Sequence, residues 1–405
     1  MDVTSRAYNH HRVPSARPAT AALRGLIVME PIYLDSNATT PLHPAAWEAM
    51  LPHLRGAAGN PASAHRFGRL ARKALEDGRE RLAALLDAHA DEVVFTSGAT
   101  EANNLALLGL AGQPPGHLLA SPVEHPSVTE PLLHLSRIGF TLDTLRVTAE
   151  GQVCPQSLSQ RLRPETRLVA VQLANHETGA VHPIKELVAL LPAEVPLHCD
   201  AVQAIGKIPV SFRQLGVATL ALSGHKFHGP PGIGALLIRR GLKVPPQLRG
   251  GHQQQGRRPG TEPVALVVGL VAALETACQE GEARRRRLRQ LRQRLLDRLR
   301  SEASPVILNG PEEGGLAHTL NVSFPPVRGD ALLMALDLAG VACSTGSACS
   351  SGSLLPSPVL QAMGVSDDIL RGALRLSLHA LHTDTEIDEA ARRIVQAVRR
   401  LRGNG

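Results

Sequence analysis

Aromatic side chains are nearly absent from this 405-residue chain, with one tryptophan, two tyrosines and six phenylalanines amounting to 2%. So few flat rings make poor stacking platforms for single-stranded nucleic acid, which argues against RNA or DNA as a partner. Also missing is any apolar run of roughly 18 residues, the length a membrane helix needs, so no membrane association is expected. The five cysteines show no CxxC spacing, and neither a zinc knuckle nor a disulfide framework is indicated. An odd set of thiols fits a reducing, cytoplasmic compartment. Charge of one sign is in modest surplus, 43 basic against 36 acidic residues for a net +7. Much of that surplus sits in Arg284-Arg-Arg-Arg287 and the helix that follows, a pattern read as a solvated basic face.

What is there is ordinary for a globular protein: 43% hydrophobic and 20% charged residues. Residues 1–28 hold a single acid, Asp2, and no sustained periodicity. They are expected to be a poorly ordered leader or an over-extended start. Apolar residues recur at helical spacing over 44–54 and 64–86. Short apolar runs at 92–95, 117–120, 168–173, 197–199, 220–222 and 235–238 then alternate with helical stretches at 99–110, 127–138 and 184–191. Such alternation predicts an α/β fold with a mostly parallel central sheet covered on both faces, and ligands at the strand ends. From about residue 263 one long helical stretch runs to 303. Strands at 319–324, 340–343 and 373–378 with helices at 331–338 and 384–401 predict a smaller α+β unit. The expected division is a large domain over 43–280, and a small domain from 29–42 with 281–405.

Chemistry-bearing residues gather after the predicted strands. Ser223-Gly-His-Lys226 ends one of them and is followed by a Gly/Pro turn, which delivers a lysine to the sheet rim. A rim lysine beside a hydroxyl and an imidazole suits an imine with a carbonyl cofactor whose phosphate those neighbours hold. Asp200, with Gln203 behind it, ends another strand; a carboxylate there can keep a pyridine nitrogen protonated, the electron sink of pyridoxal phosphate (PLP) chemistry. Ser97-Gly-Ala-Thr-Glu101 turns from strand to helix and offers backbone N–H groups to an anion. Glu124-His125 can set an imidazole over a ring or move protons near neutral pH. Asn175-His-Glu-Thr-Gly179 supplies an amide. Ser344-Thr-Gly-Ser-Ala-Cys349-Ser-Ser-Gly-Ser353, a loop of small uncharged residues, presents one thiol. Arg375 stands in an alternating strand, and its planar fork matches the carboxylate of an amino acid.

These motifs, together with Tyr33-Leu-Asp-Ser-Asn-Ala-Thr-Thr-Pro41 and Gly260-Thr261, occur over residues 31–402 in the order found in cysteine desulfurases. The chain resembles that family, fold type I PLP enzymes of the aminotransferase class V group. The resemblance implies that Lys226 carries the cofactor, Asp200 meets its pyridinium nitrogen and His125 stacks on its ring. It places Gln203 and Asn175 near the ring hydroxyl. Ala99, Thr100, Ser223 and His225 would hold the phosphate, joined by Thr261 of the partner subunit in a homodimer. It gives the substrate carboxylate to Arg375, with Asn175 beside it, and the persulfide to Cys349. The implied reaction takes sulfur from L-cysteine, leaves L-alanine, and passes the sulfur to an acceptor in iron–sulfur cluster assembly or tRNA thiolation. A selenocysteine lyase or another class V PLP aminotransferase is the alternative. Two departures stand out: His176 occupies the place of a second asparagine, and Pro259 that of a common serine.

Overall fold

Seven strands that the polypeptide visits out of spatial order form the main sheet. The computed structural model describes residues 30–56, 59–345 and 356–403, and all that follows lies in the compact unit Pro31–Gly405. A first short strand, β1 (Ile32–Tyr33), pairs in parallel with a later one. The main sheet comprises β2 (Val93–Thr96), β3 (His117–Ala120), β4 (Thr141–Thr144), β5 (Thr166–Ala170), β6 (Leu197–Asp200), β7 (Thr219–Ser223) and β8 (Gly234–Ile238). Its spatial order is β2-β8-β7-β6-β5-β3-β4. Only β8 runs against its neighbours, β7 and β2. The remaining pairings are parallel, as the alternation of strands with helices requires.

Both faces of this sheet are buried. Along β2, Val93 and Phe95 enter one core cluster and Val94 another; along β5, Val169 and Leu168 divide the same way. That is why these strands read as continuous apolar runs. β4 escapes such a reading because it is an edge strand whose residues, Thr-Leu-Asp-Thr, are exposed or half-buried.

A second, antiparallel sheet has the order β12-β10-β9, from β9 (Ile307–Leu308), β10 (Thr319–Ser323) and β12 (Ala373–Ser377), while β11 (Val341–Ala342) is the partner of β1. Here the alternation has period two. Leu320, Val322, Leu374 and Leu376 enter a core with Leu288, Leu291, Leu295 and Leu299 of the arginine-rich helix. Thr319, Asn321 and Arg375 therefore face the other way and reach residues beside the cavity described below: Asn321 donates to the Glu177 carbonyl and Arg375 to that of His176.

The long helical stretch expected from 263 to 303 is two helices, Val264–Gln279 and Gly281–Glu302, bent by 73°. Glycine at 281 marks the break. Most arginines of the second helix are exposed or half-buried and ion-paired, for example Arg294 with Asp388 and Arg300 with Glu312, each at 2.6 Å, while Arg292 is buried and donates to the Thr319 and Pro311 carbonyls.

Candidate active site

The carboxyl ends of β2, β3, β5, β6 and β7 converge on one cavity of about 410 Å³. Its wall takes Ser97 to Glu101 from the turn after β2, His125 and Ser127 from beyond β3, Gln172 and His176 from beyond β5, Asp200 from β6, and Ser223, His225 and Lys226 from β7. Parallel strands all end on the same side, so the topology gathers these residues from over a hundred positions of sequence. Glycine at 234 permits the close packing of this rim: a Cβ there would lie 2.4 Å from the Leu222 carbonyl oxygen and 2.8 Å from Gly98 Cα.

Lys226 sits in a single 3₁₀ turn, Gly224–Lys226, immediately after β7. Its Nζ donates to the carbonyls of Asn37 and Ala38, each at 2.8 Å. The segment around Asn37 is a brace that the sequence reading left without a role. The backbone N–H of Asn37 donates to Ser377 Oγ at 2.9 Å. Its amide donates to the His176 carbonyl and Thr319 Oγ1, and its Oδ1 meets His318 Nε2 at 2.8 Å. Thr40 donates twice to the His225 carbonyl.

Asp200 is 6% exposed at the end of β6. Its Oδ1 accepts the Val202 N–H at 3.0 Å and its Oδ2 the Asn103 amide at 2.8 Å. Asn103 also donates to Ser127 Oγ, and its Oδ1 faces His198 Nε2 at 2.9 Å. Burial pushes His198 down to about 3, so the ring is neutral; with Asn103 Oδ1 as acceptor, Nε2 carries the proton and Nδ1 accepts from Thr219 Oγ1 at 2.8 Å. The chain Thr219–His198–Asn103 thus fixes Asp200 while leaving lone pairs on both carboxylate oxygens.

His125 caps the helix Pro126–Arg137, its Nδ1 accepting the Ser127 N–H at 3.0 Å. That bond holds the ring and places the proton of the neutral form on Nε2. Burial, foremost, lowers its pKa; Lys226 and Arg375 add to the effect and Asp200 opposes it. His225 is pushed down to about 4, again first by burial and then by Lys226 and Lys207.

Of the remaining expected residues, Ala99, Thr100, Ser223 and Gln203 line the cavity. Asn175 is fully buried beside it rather than in its wall. Its amide donates to the Val123 carbonyl at 3.0 Å, and its Oδ1 accepts from the N–H groups of Glu177 and Thr178. His176, the next residue, faces the cavity instead. Arg375 is 2% exposed and ion-paired with Asp35 at 2.8 Å. It too stands behind the wall, with its Nε buried and without a hydrogen-bond partner among the described residues. Thr261 is exposed and outside this cavity. Cys349 lies outside the described residues. Among the described cysteines none lines the cavity, and burial pushes the Cys343 thiol up to about 12.

The donor set fits PLP. A carboxylate with free lone pairs, a rim lysine, and hydroxyl, imidazole and helix-start N–H groups share one cavity, matching in kind a pyridine nitrogen, an aldehyde and a phosphate. Together with the mostly parallel sheet, they define a PLP-dependent enzyme of fold type I.

Comparison with known proteins narrows the class. The model of the family described as Aminotransferase class-V matches residues 32–389, and the chain belongs to that family. It is 42% identical over 375 residues to the cysteine desulfurase IscS of Dictyoglomus turgidum, covering 91% of this chain and 95% of that one. A NifS-like protein of known structure is similar at a TM-score of 0.86 and 35% identity, covering 90% of this chain and 98% of the other. The structure of SspA in complex with cysteine superposes at a TM-score of 0.77 with 33% identity, over 87% and 100% of the two chains.

Proposed function

We propose that this chain is a cysteine desulfurase, releasing L-alanine from L-cysteine and leaving the sulfur as a persulfide on Cys349. The observation that carries this reading is the meeting of Lys226, Asp200 and His125 in one cavity, in a chain that also holds a thiol in a small-residue loop. The similarity to relatives named as cysteine desulfurases supports it.

Bound PLP supplies an electron sink for the bonds at the carbon atoms of an amino acid. Lys226 would hold its aldehyde. Asp200, braced by Asn103 and Val202, would accept from the ring nitrogen and favour its protonated form. The N–H groups at the start of the helix Ala99–Ala111, with Thr100, Ser223 and His225, would hold the phosphate. His125 presents a proton at Nε2, because its Nδ1 is engaged by Ser127. Arg375 would draw the substrate carboxylate to the side of the cavity where His176 stands, with Asp35 fixing the guanidinium. As the Cys349 sulfur bonds to the substrate sulfur, the Cβ–S bond breaks and its electron pair stays on carbon, which takes a proton to become the methyl group of L-alanine.

Exposed Thr261 supports a homodimer in which Thr261 of the partner subunit completes the phosphate site. The sulfur acceptor is read as an iron–sulfur scaffold or a tRNA-thiolation relay, and the compartment as the cytoplasm. The large and small domains are read as 43–280, and 29–42 with 281–405. Purified protein supplied with PLP should absorb near about 400 nm and release alanine and sulfide from L-cysteine. Cys349→Ala should keep that band and lose the persulfide. A keto acid with a new amino acid as products would point to an aminotransferase instead.

A further inference from the structure

The side of the cavity near Arg375 carries a titratable group to which the reaction above gives no task. His176 is 6% exposed, and its ring meets that of His125 edge to face with 5.3 Å between centres. Its Nδ1 is buried with no hydrogen-bond partner among the described residues, unlike the Nδ1 of His125. Its Nε2 lies 3.7 Å from Glu177 Oε1, and Glu177 Oε2 accepts from Ser357 Oγ at 2.6 Å. A carboxyl group opposite Nε2 favours the tautomer protonated there, which leaves the Nδ1 lone pair open. An unsatisfied buried nitrogen is costly to keep.

We propose that His176 is a proton acceptor of the site, taking the proton that an arriving α-amino acid sheds from its ammonium group while Glu177 balances the imidazolium charge. The inference rests on the reading of the chain as a PLP enzyme acting on an amino acid. In the step, an ammonium N–H bond breaks and its electron pair remains on the amine nitrogen. The lone pair of His176 Nδ1 forms the new N–H bond, and no further reactant is needed.

The groups around His176 set when this can happen. Burial, first, holds its pKa well below the ordinary value, and His125, Arg375 and Lys226 act in the same direction. Glu177 and, through Arg375, Asp35 act the other way. Burial pushes Glu177 up to about 7, so its carboxyl can change charge near neutral pH. A substrate carboxylate paired with Arg375 offsets one opposing charge, so proton acceptance is coupled to substrate arrival.

The test uses the holoenzyme and L-alanine, which binds as product but has no sulfur to lose. Calorimetry in two buffers of different ionisation enthalpy counts protons exchanged on binding, and cofactor absorbance gives the affinity at each pH. The wild type keeps the ammonium proton, so His176→Asn should release about one more proton per site. Its affinity for L-alanine should also rise with pH more steeply than that of the wild type, by up to about tenfold per pH unit. Glu177→Gln should fall between the two. Equal proton counts and parallel pH slopes in wild type and His176→Asn overturn the proposal. If His176→Asn fails to fold or to hold PLP, Glu177→Gln decides, and a proton count unchanged from the wild type overturns it. A wild type that makes neither alanine nor sulfide from L-cysteine defeats the functional reading itself; one that makes both but shows equal counts defeats only the role of His176.

Discussion

On the helix Gly281–Glu302 the exposed and half-buried arginines reach acids: Arg294 meets Asp388 at 2.6 Å, Arg289 meets Glu282 at 3.3 Å, and Arg300 meets Glu312 at 2.6 Å. Around the cavity the cations are fewer and sheltered. Lys226 leans on two carbonyls, Lys207 on Gln203 Oε1 at 2.5 Å, and Arg375 on Asp35 and the His176 carbonyl. Exposed pairs gain little because water screens them. A sheltered cation has lost its hydration, so it binds an arriving anion strongly. The chain's net charge of +7 therefore says little about its chemistry; the placement of three cations says more.

Substitutions in the two regions should separate sharply. Lys226→Ala should abolish turnover of L-cysteine, a loss of at least about a thousandfold, whereas Arg289→Ala on the helix surface should leave kcat and KM as they are. Comparable losses from both would erase the contrast. Next in size, Arg375→Ala should raise KM for L-cysteine by roughly 30-fold or more, the worth of a charge-assisted hydrogen bond, with kcat changed less. Asp35→Asn, which keeps a hydrogen bond to Arg375 but removes the charge, should raise KM less; a larger effect than Arg375→Ala would show that Asp35 has a task of its own.

Smaller still is the response to conditions. His198 and His182 are buried neutral and pushed down to about 3 and about 4 by burial. Their folded pKa values lie below the ordinary histidine value, so the stability they contribute is present above pH 6.5 and lost as pH falls toward those values. Glu177 has the opposite sign: raised from 4.5 to about 7, it contributes stability that is full below pH 4.5 and lost as pH rises through about 7. Glu124, also raised by burial, has the same sign as Glu177, but the buried histidines that are lowered, with His176 and His318 beside His198 and His182, outnumber these two carboxyls, and the melting temperature should drop from pH 7 to pH 5. Added salt at pH 7 should move it little, since it acts on the exposed pairs. A melting temperature that holds at pH 5 but falls in salt would invert the comparison.

Much of this was legible in the sequence. Apolar runs ending in Gly-, Ser- or Asp-bearing turns gave away the parallel sheet and its rim, because strands buried on both faces must be apolar and their loops must carry the polar work. Lys226, Asp200 and His125 follow directly from that pattern. What escaped depends on contacts between distant segments. Nothing local marks Asn37 as the brace of Lys226 or Asn103 as the holder of Asp200, since each is defined by a partner 97 or more positions away. Nor does the sequence tell which of two neighbours in a loop, Asn175 or His176, turns into the cavity. The backbone N–H groups of Glu177 and Thr178 decide it by claiming Asn175 Oδ1.

The central claim is that Lys226, and no other lysine, carries the cofactor. Borohydride reduction of the PLP-loaded protein, followed by digestion and mass spectrometry, tests it most directly. The account predicts pyridoxyl mass on the peptide containing Lys226. Finding that mass on Lys207, the half-buried lysine nearby, or on no lysine at all would contradict it.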